Sequence, residues 1–163
     1  MLRVLGTIQN SEYANTLKNE QNDLAAWVKE IHNGMYPFLA STHLTSTANP
    51  FTHASHQDTN TSPFPNYVSQ PISSLTNFLD ASSTALLAST VYRLSIPRAD
   101  HSYLLRAEKS RKALSSTDPN NSSQLLHFMS EGWLTPDVNL DFPNHGEMSL
   151  EGQASVIEIQ AGW

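Results

Sequence analysis

Carboxylates are the first groups in this chain with a chemistry to offer. Asp80 stands just before the apolar run Ala81–Leu94, and Glu151 opens the run Leu150–Trp163. Glycosidic chemistry uses Asp or Glu as acid, base or nucleophile. The same two positions suit a structural role. A short side chain at a helix start accepts an orphan N–H, as Asp80, Ser82 or Ser83 can for the first run, and an acid in the first turn complements the helix dipole. Ser83, one turn into the Asp80 run, and Tyr67, ahead of it, are polar groups at the same helix mouth. Trp133 lies at a loop tip, where an indole face can stack on a sugar ring. Trp27 and Trp163 fall at helical spacing and read as core. Asp137 and Asp141 read as solvated loop residues.

Other chemistries lack their apparatus. His53, His56 and Asp58, with His43 nearby, are zinc-type ligands. They stand in a loop-like segment, where no helix puts the two imidazoles on one face, so metal is not expected. There is no Gly-x-Ser-x-Gly elbow for a nucleophilic serine. The six glycines are isolated, so none cradles a phosphate. Asn60-Thr61-Ser62, Asn120-Asn121-Ser122 and Asn121-Ser122-Ser123 match the glycosylation acceptor pattern. All three stand in segments that read as surface loop.

The elements that must position these residues are helices. Glu12–Met35 carries Tyr13, Leu17, Leu24, Trp27, Val28, Ile31 and Met35 at steps of three, four and seven. Asn33-Gly34 and Pro37 form its expected stop. Residues 41–77 form a long Ser/Thr/Asn/Pro-rich loop, with Phe64, Tyr67, Val68 and Ile72 as anchors. Ala81–Leu94 is apolar or small nearly all round, which marks a buried helix, and Pro97 ends it. Ser102–Leu114 has one apolar edge and a charged remainder, an outer helix. Ser115–Ser123 reads as a polar loop, and Leu125–Asn139 as a short hairpin turning at Glu131-Gly132. Leu150–Trp163 is the last helix, capped by Ser149, with Ala154, Val156, Ile157, Ile159 and Ala161 as its core. Buried and amphipathic helices thus alternate, a repeat of type found in helical solenoids and toroids.

Composition narrows the functions. Nine Lys and Arg against fifteen Asp and Glu give a net charge of −6 in 163 residues. A nucleic-acid binder needs a basic stripe, and anionic membranes attract basic surfaces, so neither partner is expected. No apolar run approaches the ~20 residues that span a bilayer. Zero cysteine removes disulfides, thiolate nucleophiles and cysteine–zinc sites. Met1–Asn10 has only scattered Leu2, Val4, Leu5 and Ile8, which is not a signal peptide, and the compartment is left open.

Several segments, taken in order, resemble one family. They are Asp80-Ala-Ser-Ser-Thr-Ala through Leu94, Tyr103 through Leu114, Gly132-Trp-Leu-Thr-Pro-Asp-Val-Asn139 and Ser149-Leu-Glu-Gly-Gln-Ala154. Ala26-Trp27 through Asn33-Gly-Met-Tyr-Pro-Phe-Leu39 and Pro65-Asn-Tyr67 extend the series toward the N-terminus. Together they resemble the C-terminal part of the six-hairpin glycosidases of glycoside hydrolase families 88 and 105, the unsaturated uronyl hydrolases, in their fungal form.

The resemblance implies an all-α fold, a partial (α/α)6 toroid with residues 1–163 as one incomplete domain. It implies hydration of the enol-ether double bond of an unsaturated rhamnogalacturonyl or glucuronyl oligosaccharide. In the family an aspartate is general acid and base, and the resulting hemiketal collapses to release the saturated sugar, with no metal or cofactor. The family's catalytic aspartate and its Arg/Trp uronate clamp belong to earlier hairpins, and no segment here matches them. Twelve helices with their connections need about 200 residues, more than this chain has. The expectation is therefore a chain weakly active or inactive alone, with Tyr67, Asp80, Ser83, Trp133 and Glu151 near the cleft. An open toroid edge would also favour self-association. Two alternatives stand beside it: a non-catalytic helical module that binds carbohydrate or protein, and a gene-model fragment.

Overall fold

In a computed structural model the chain is mostly helical, and the structure describes residues 1–41, 63–68, 78–118, 121–135, 137–138, 145–146 and 148–162. Five helices lie among them: α1 (Leu2–Gln9), α2 (Lys18–Ser41), α3 (Ala81–Arg98), α4 (Leu104–Leu114) and α5 (Leu150–Gly162). Three antiparallel two-stranded ribbons decorate the connections. They are β1 (Phe64–Pro65) with β2 (Leu79–Asp80), β3 (Thr117–Asp118) with β4 (Asn121–Leu125), and β5 (Asp137–Val138) with β6 (His145–Gly146).

The packing is organised by α3. Ala81, Thr84, Ala85, Ala88, Ser89, Val91, Tyr92 and Leu94 are all buried, as its apolar and small composition requires. Small residues let neighbours come close. A Cβ built on Gly162 of α5 would stand 3.3 Å from the Ser89 carbonyl oxygen and 3.4 Å from Tyr92 Cβ. The helix ends on Ala99 in the left-handed region, φ 50°, after passing through Pro97 in its last turn.

Directions follow from side-chain ties. Asn22, early in α2, accepts from Arg98 at the end of α3, and His32 meets Thr90, so α2 runs against α3. Five residues, 99–103, turn α3 into α4, and Tyr92 donates to Glu108, so α4 also runs back along α3. Val156 and Ile159 of α5 face Leu114 and Ser115, at the far end of α4, while Gly162 reaches Ser89 and Tyr92. These ties make α5 parallel to α3. The main core gathers Tyr36, Phe64, Ala81, Ala85, Ala88, Val91, Tyr92, Ala107, Leu114, Leu134 and Ile159. A second cluster of Leu5, Val28 and Leu94 fastens α1 and α2 to the end of α3.

Several sequence expectations are corrected. Helix α1 lies within Met1–Asn10, a segment with no element expected from its residues. The helix expected over 12–35 runs instead over 18–41, straight through Pro37. Proline removes one helical hydrogen bond. Core contacts of Tyr36 before it and Leu39 after it hold the helix through that defect. Trp27 is not core but 54% exposed, and Ile31 is 43% exposed. The buried face of α2 is instead Gln21, Val28, His32 and Tyr36. Gln21 and His32 could join it because each finds a hydrogen bond, to the Ala14 carbonyl at 2.7 Å and to Thr90 at 2.8 Å. In α5, Ile157 is 66% exposed, and Ala154 and Ala161 are exposed as well. Gly152, Ser155 and Ile159 form the buried face, since close packing on α3 selects small residues. The expected loop 115–123 contains the β3–β4 ribbon.

The hairpin at Glu131-Gly132 is present. Phe128 bridges Leu134, and Met129 N–H donates to the Trp133 carbonyl at 2.8 Å. Gly132 closes the turn at φ 86°, a conformation that favours glycine. In the expected loop 41–77, Phe64 is buried and β1 is paired, while Ile72 lies outside the described residues.

Candidate functional site

Asp80 is the N-cap of α3 and is 1% exposed. Its Oδ1 accepts from Ser82 N–H at 2.9 Å, Ser82 Oγ at 2.9 Å and Ser83 N–H at 3.2 Å. Its Oδ2 accepts from Ser83 Oγ. The Asp-Ala-Ser-Ser sequence builds this cage locally, because residues two and three beyond an N-cap present both amide and hydroxyl to one carboxylate. Asp80 is thus satisfied by its own helix start, and Ser83 is spent on it. Neither projects a free group for acid/base work.

The ribbon before α3 brings Tyr67 to the same place. Phe64 pairs with Asp80 and Pro65 with Leu79, and Asn66 N–H donates to the Phe78 carbonyl at 2.8 Å. Thr84 locks the junction. Its Oγ1 donates to the Asp80 carbonyl and accepts from Phe64 N–H at 2.8 Å. Tyr67 follows this anchor and is partly exposed.

Glu151 opens α5, and its carboxylate is exposed. Ser149 caps the helix as expected. Its Oγ accepts from Gly152 N–H at 3.0 Å and donates to Glu151 at 3.2 Å. The neighbouring Gln153 carries a role that sequence reasoning missed. Its Oε1 accepts from Leu134 N–H at 3.2 Å, and its Nε2 donates to the Gly132 carbonyl at 3.3 Å. One amide thus clamps the Trp133 hairpin to the start of α5. No local signal marks it, since its partners stand 19 and 21 residues away in sequence. Because α3 and α5 run parallel, their starts share one end of the bundle. Tyr67, Asp80, Ser83, Trp133 and Glu151 are therefore all tied to that end, with Asp80 and Ser83 built into its wall.

Two histidines are buried with their rings neutral. His32 is held down to about pKa 4 by burial, against a smaller opposing pull from Asp100. It sits edge-on to Tyr36 and Tyr103, which stack on each other at 4.7 Å. Burial also lowers His127, whose Nδ1 faces the Thr135 carbonyl. Glu108 is held near 2, first by its paired bonds from Arg111 at 2.7 and 2.9 Å, and also by Tyr92 and Lys112. Asp100 lies near 2 through bonds from Ser102 and Lys29. His32 and Glu108 lie on helix sides, Asp100 in the α3–α4 turn and His127 at the base of the Trp133 hairpin, and all four support structure.

Among the described residues no group of three or more His, Cys, Asp or Glu is placed to hold a metal ion. His43, His53, His56 and Asp58 lie outside the described residues, as do Asn60–Ser62, Asn120, Asp141 and Trp163. Among the described residues no helix is long and apolar enough to cross a membrane. No family model, curated protein or solved structure matches this chain.

Proposed function

We propose that this chain is a helical-hairpin domain of the six-hairpin glycosidase type, and that the end carrying Tyr67, Trp133 and Glu151 binds an unsaturated uronyl oligosaccharide without turning it over by itself. The observation that carries the proposal is the gathering of all five sequence-selected residues at one end of α3 and α5. The antiparallel order of α2, α3, α4 and α5 supports the ring reading, since inner helices of an α/α toroid run parallel with outer ones returning between them. The outward stripe of α5, Leu150, Ala154, Ile157 and Ala161, supports it too. In a ring, that face would meet the next inner helix.

The family's catalytic aspartate has no match in this chain, and Asp80 does not replace it. A general acid or base must reach the substrate, within hydrogen-bond distance or through one water. The Asp80 carboxylate is buried and already accepts four bonds from Ser82 and Ser83. Aromatic faces and an exposed carboxylate can hold sugar hydroxyls without any proton transfer.

The test has two arms on the whole chain. Titration with an unsaturated uronyl disaccharide should shift the Trp133 indole resonance, and Trp133→Ala should weaken binding roughly tenfold. The conjugated ultraviolet absorbance of the sugar should persist. No binding refutes the site, and turnover abolished by Asp80→Asn refutes the assignment of Asp80 to structure.

A protein-binding module is the second reading. It is favoured by the same exposed α5 stripe, because a contiguous apolar stripe on a helix is ordinarily covered by a partner.

A further inference from the structure

Helix α2 turns an aromatic and acidic face to solvent. Trp27 and Ile31 stand out from it, one turn apart. At 100° per residue, Glu20, Asp23, Glu30 and Gly34 lie within about 60° of Trp27 around the helix. All four are exposed. The one base in that stretch, Lys29, is turned away and pairs with Asp100 at 3.0 Å. The face therefore carries three acids and no base around an exposed indole.

Helix α4 presents the complement. Leu105 is 72% exposed, and Lys109 and Lys112 share its side at steps of four and three. Arg106 at the margin is engaged within the chain, its guanidinium donating to the Tyr36 carbonyl at 2.8 Å. Glu108, the acid of this helix, is engaged by Arg111, Tyr92 and Lys112. Lys109 has no ion pair among the described residues.

We propose that the α2 face of one copy of this chain docks on the α4 face of a second copy. The occupant is argued from charge. An acidic face with an aromatic anchor and a basic face with an aliphatic one are both carried outward by the same chain, on separate helices flanking α3. The contact joins two different patches, so it either closes reciprocally as a two-fold dimer, α2 on α4 and α4 on α2, or propagates head-to-tail. Trp at the centre supplies buried area, and the charged rim sets orientation and partner. This contact is independent of the carbohydrate end.

The experiment is sedimentation velocity on the full chain, from micromolar to about 1 mM, at low and high salt. The expected result is reversible self-association. It should weaken steeply when salt is raised toward about 0.5 M, because exposed charge pairs are screened. Trp27→Ala and Lys109→Glu should each weaken it at least about tenfold, while Lys109→Arg retains it. Both side chains face solvent, so these variants fold, and an unchanged helical circular-dichroism signal checks that. A chain monomeric at about 1 mM in low salt overturns the proposal. So does association that survives either disruptive substitution.

Discussion

Acidification from about pH 7.5 to about pH 5 should cost this protein roughly 2 kcal/mol through His32 alone. The hydroxyl hydrogen of Thr90 is given to the Leu87 carbonyl at 2.7 Å, so Thr90 Oγ1 accepts from His32 Nε2–H at 2.8 Å. Protonation must then place a second hydrogen on Nδ1, which has no hydrogen-bond partner among the described residues, in a ring only 2% exposed. The folded-state pKa falls from 6.5 to about 4 as a result. Because the folded value is depressed, the contribution is whole above pH 6.5 and is lost as pH falls toward 4. At about pH 5 the unfolded imidazole is almost fully protonated and the folded one about one-tenth, which gives the 2 kcal/mol; the loss approaches about 3 kcal/mol below pH 4. His127 acts in the same direction. Asp100 and Glu108, held near 2, contribute their own losses at lower pH, where carboxylates of the unfolded chain titrate. Urea midpoints at the two pH values measure the slope, and His32→Leu should remove its share. A titration midpoint for the folded His32 ring near 6.5 by NMR would refute the reasoning, as would an unchanged pH slope in His32→Leu.

Four further outcomes are expected. Tyr36→Phe deletes a buried phenol oxygen that has no hydrogen-bond partner among the described residues, so thermal melting should rise, by up to about 1 kcal/mol in stability. Ala99→Gly relieves the left-handed C-cap at φ 50° and should stabilise by about 1 kcal/mol in urea denaturation. Asp80→Ala strips the α3 cap and strands the hydroxyls of Ser82 and Ser83, costing about 2 kcal/mol in the same assay. Gln153→Leu leaves Leu134 N–H without its partner and should cost about 1–2 kcal/mol, with faster amide exchange confined to the 128–135 hairpin.

Some of the candidate site was legible because it is local. Asp80 caps α3 and Ser149 caps α5 through atoms two or three residues away, and Gly132 closes its turn within the Met129–Trp133 segment. Such bonds are written in short stretches of chain, so residue type and spacing announce them. Gln153 was not legible as a clamp. Its partners Gly132 and Leu134 are remote in sequence, and a glutamine gives no sign of which backbone it will reach.

By itself the sequence determined that the chain would be helical, that most of the run from Ala81 to Leu94 would be buried, Leu86 at 50% exposure departing from it, and where α5 would start. Those outcomes rest on composition around the helix and on bonds within one turn. Only the tertiary structure decided which faces of α2 and α5 go inside. The apolar stripe of α2 was wider than the surface available to cover it, so Trp27 and Ile31 were left in solvent. His32 and Gln21 went in because remote partners met their polar atoms. In α5 the face turned inward carries Gly152, Ser155 and Ile159, and Ile157 was left in solvent. A burial decided by fit to a neighbour is not written in the helix that undergoes it.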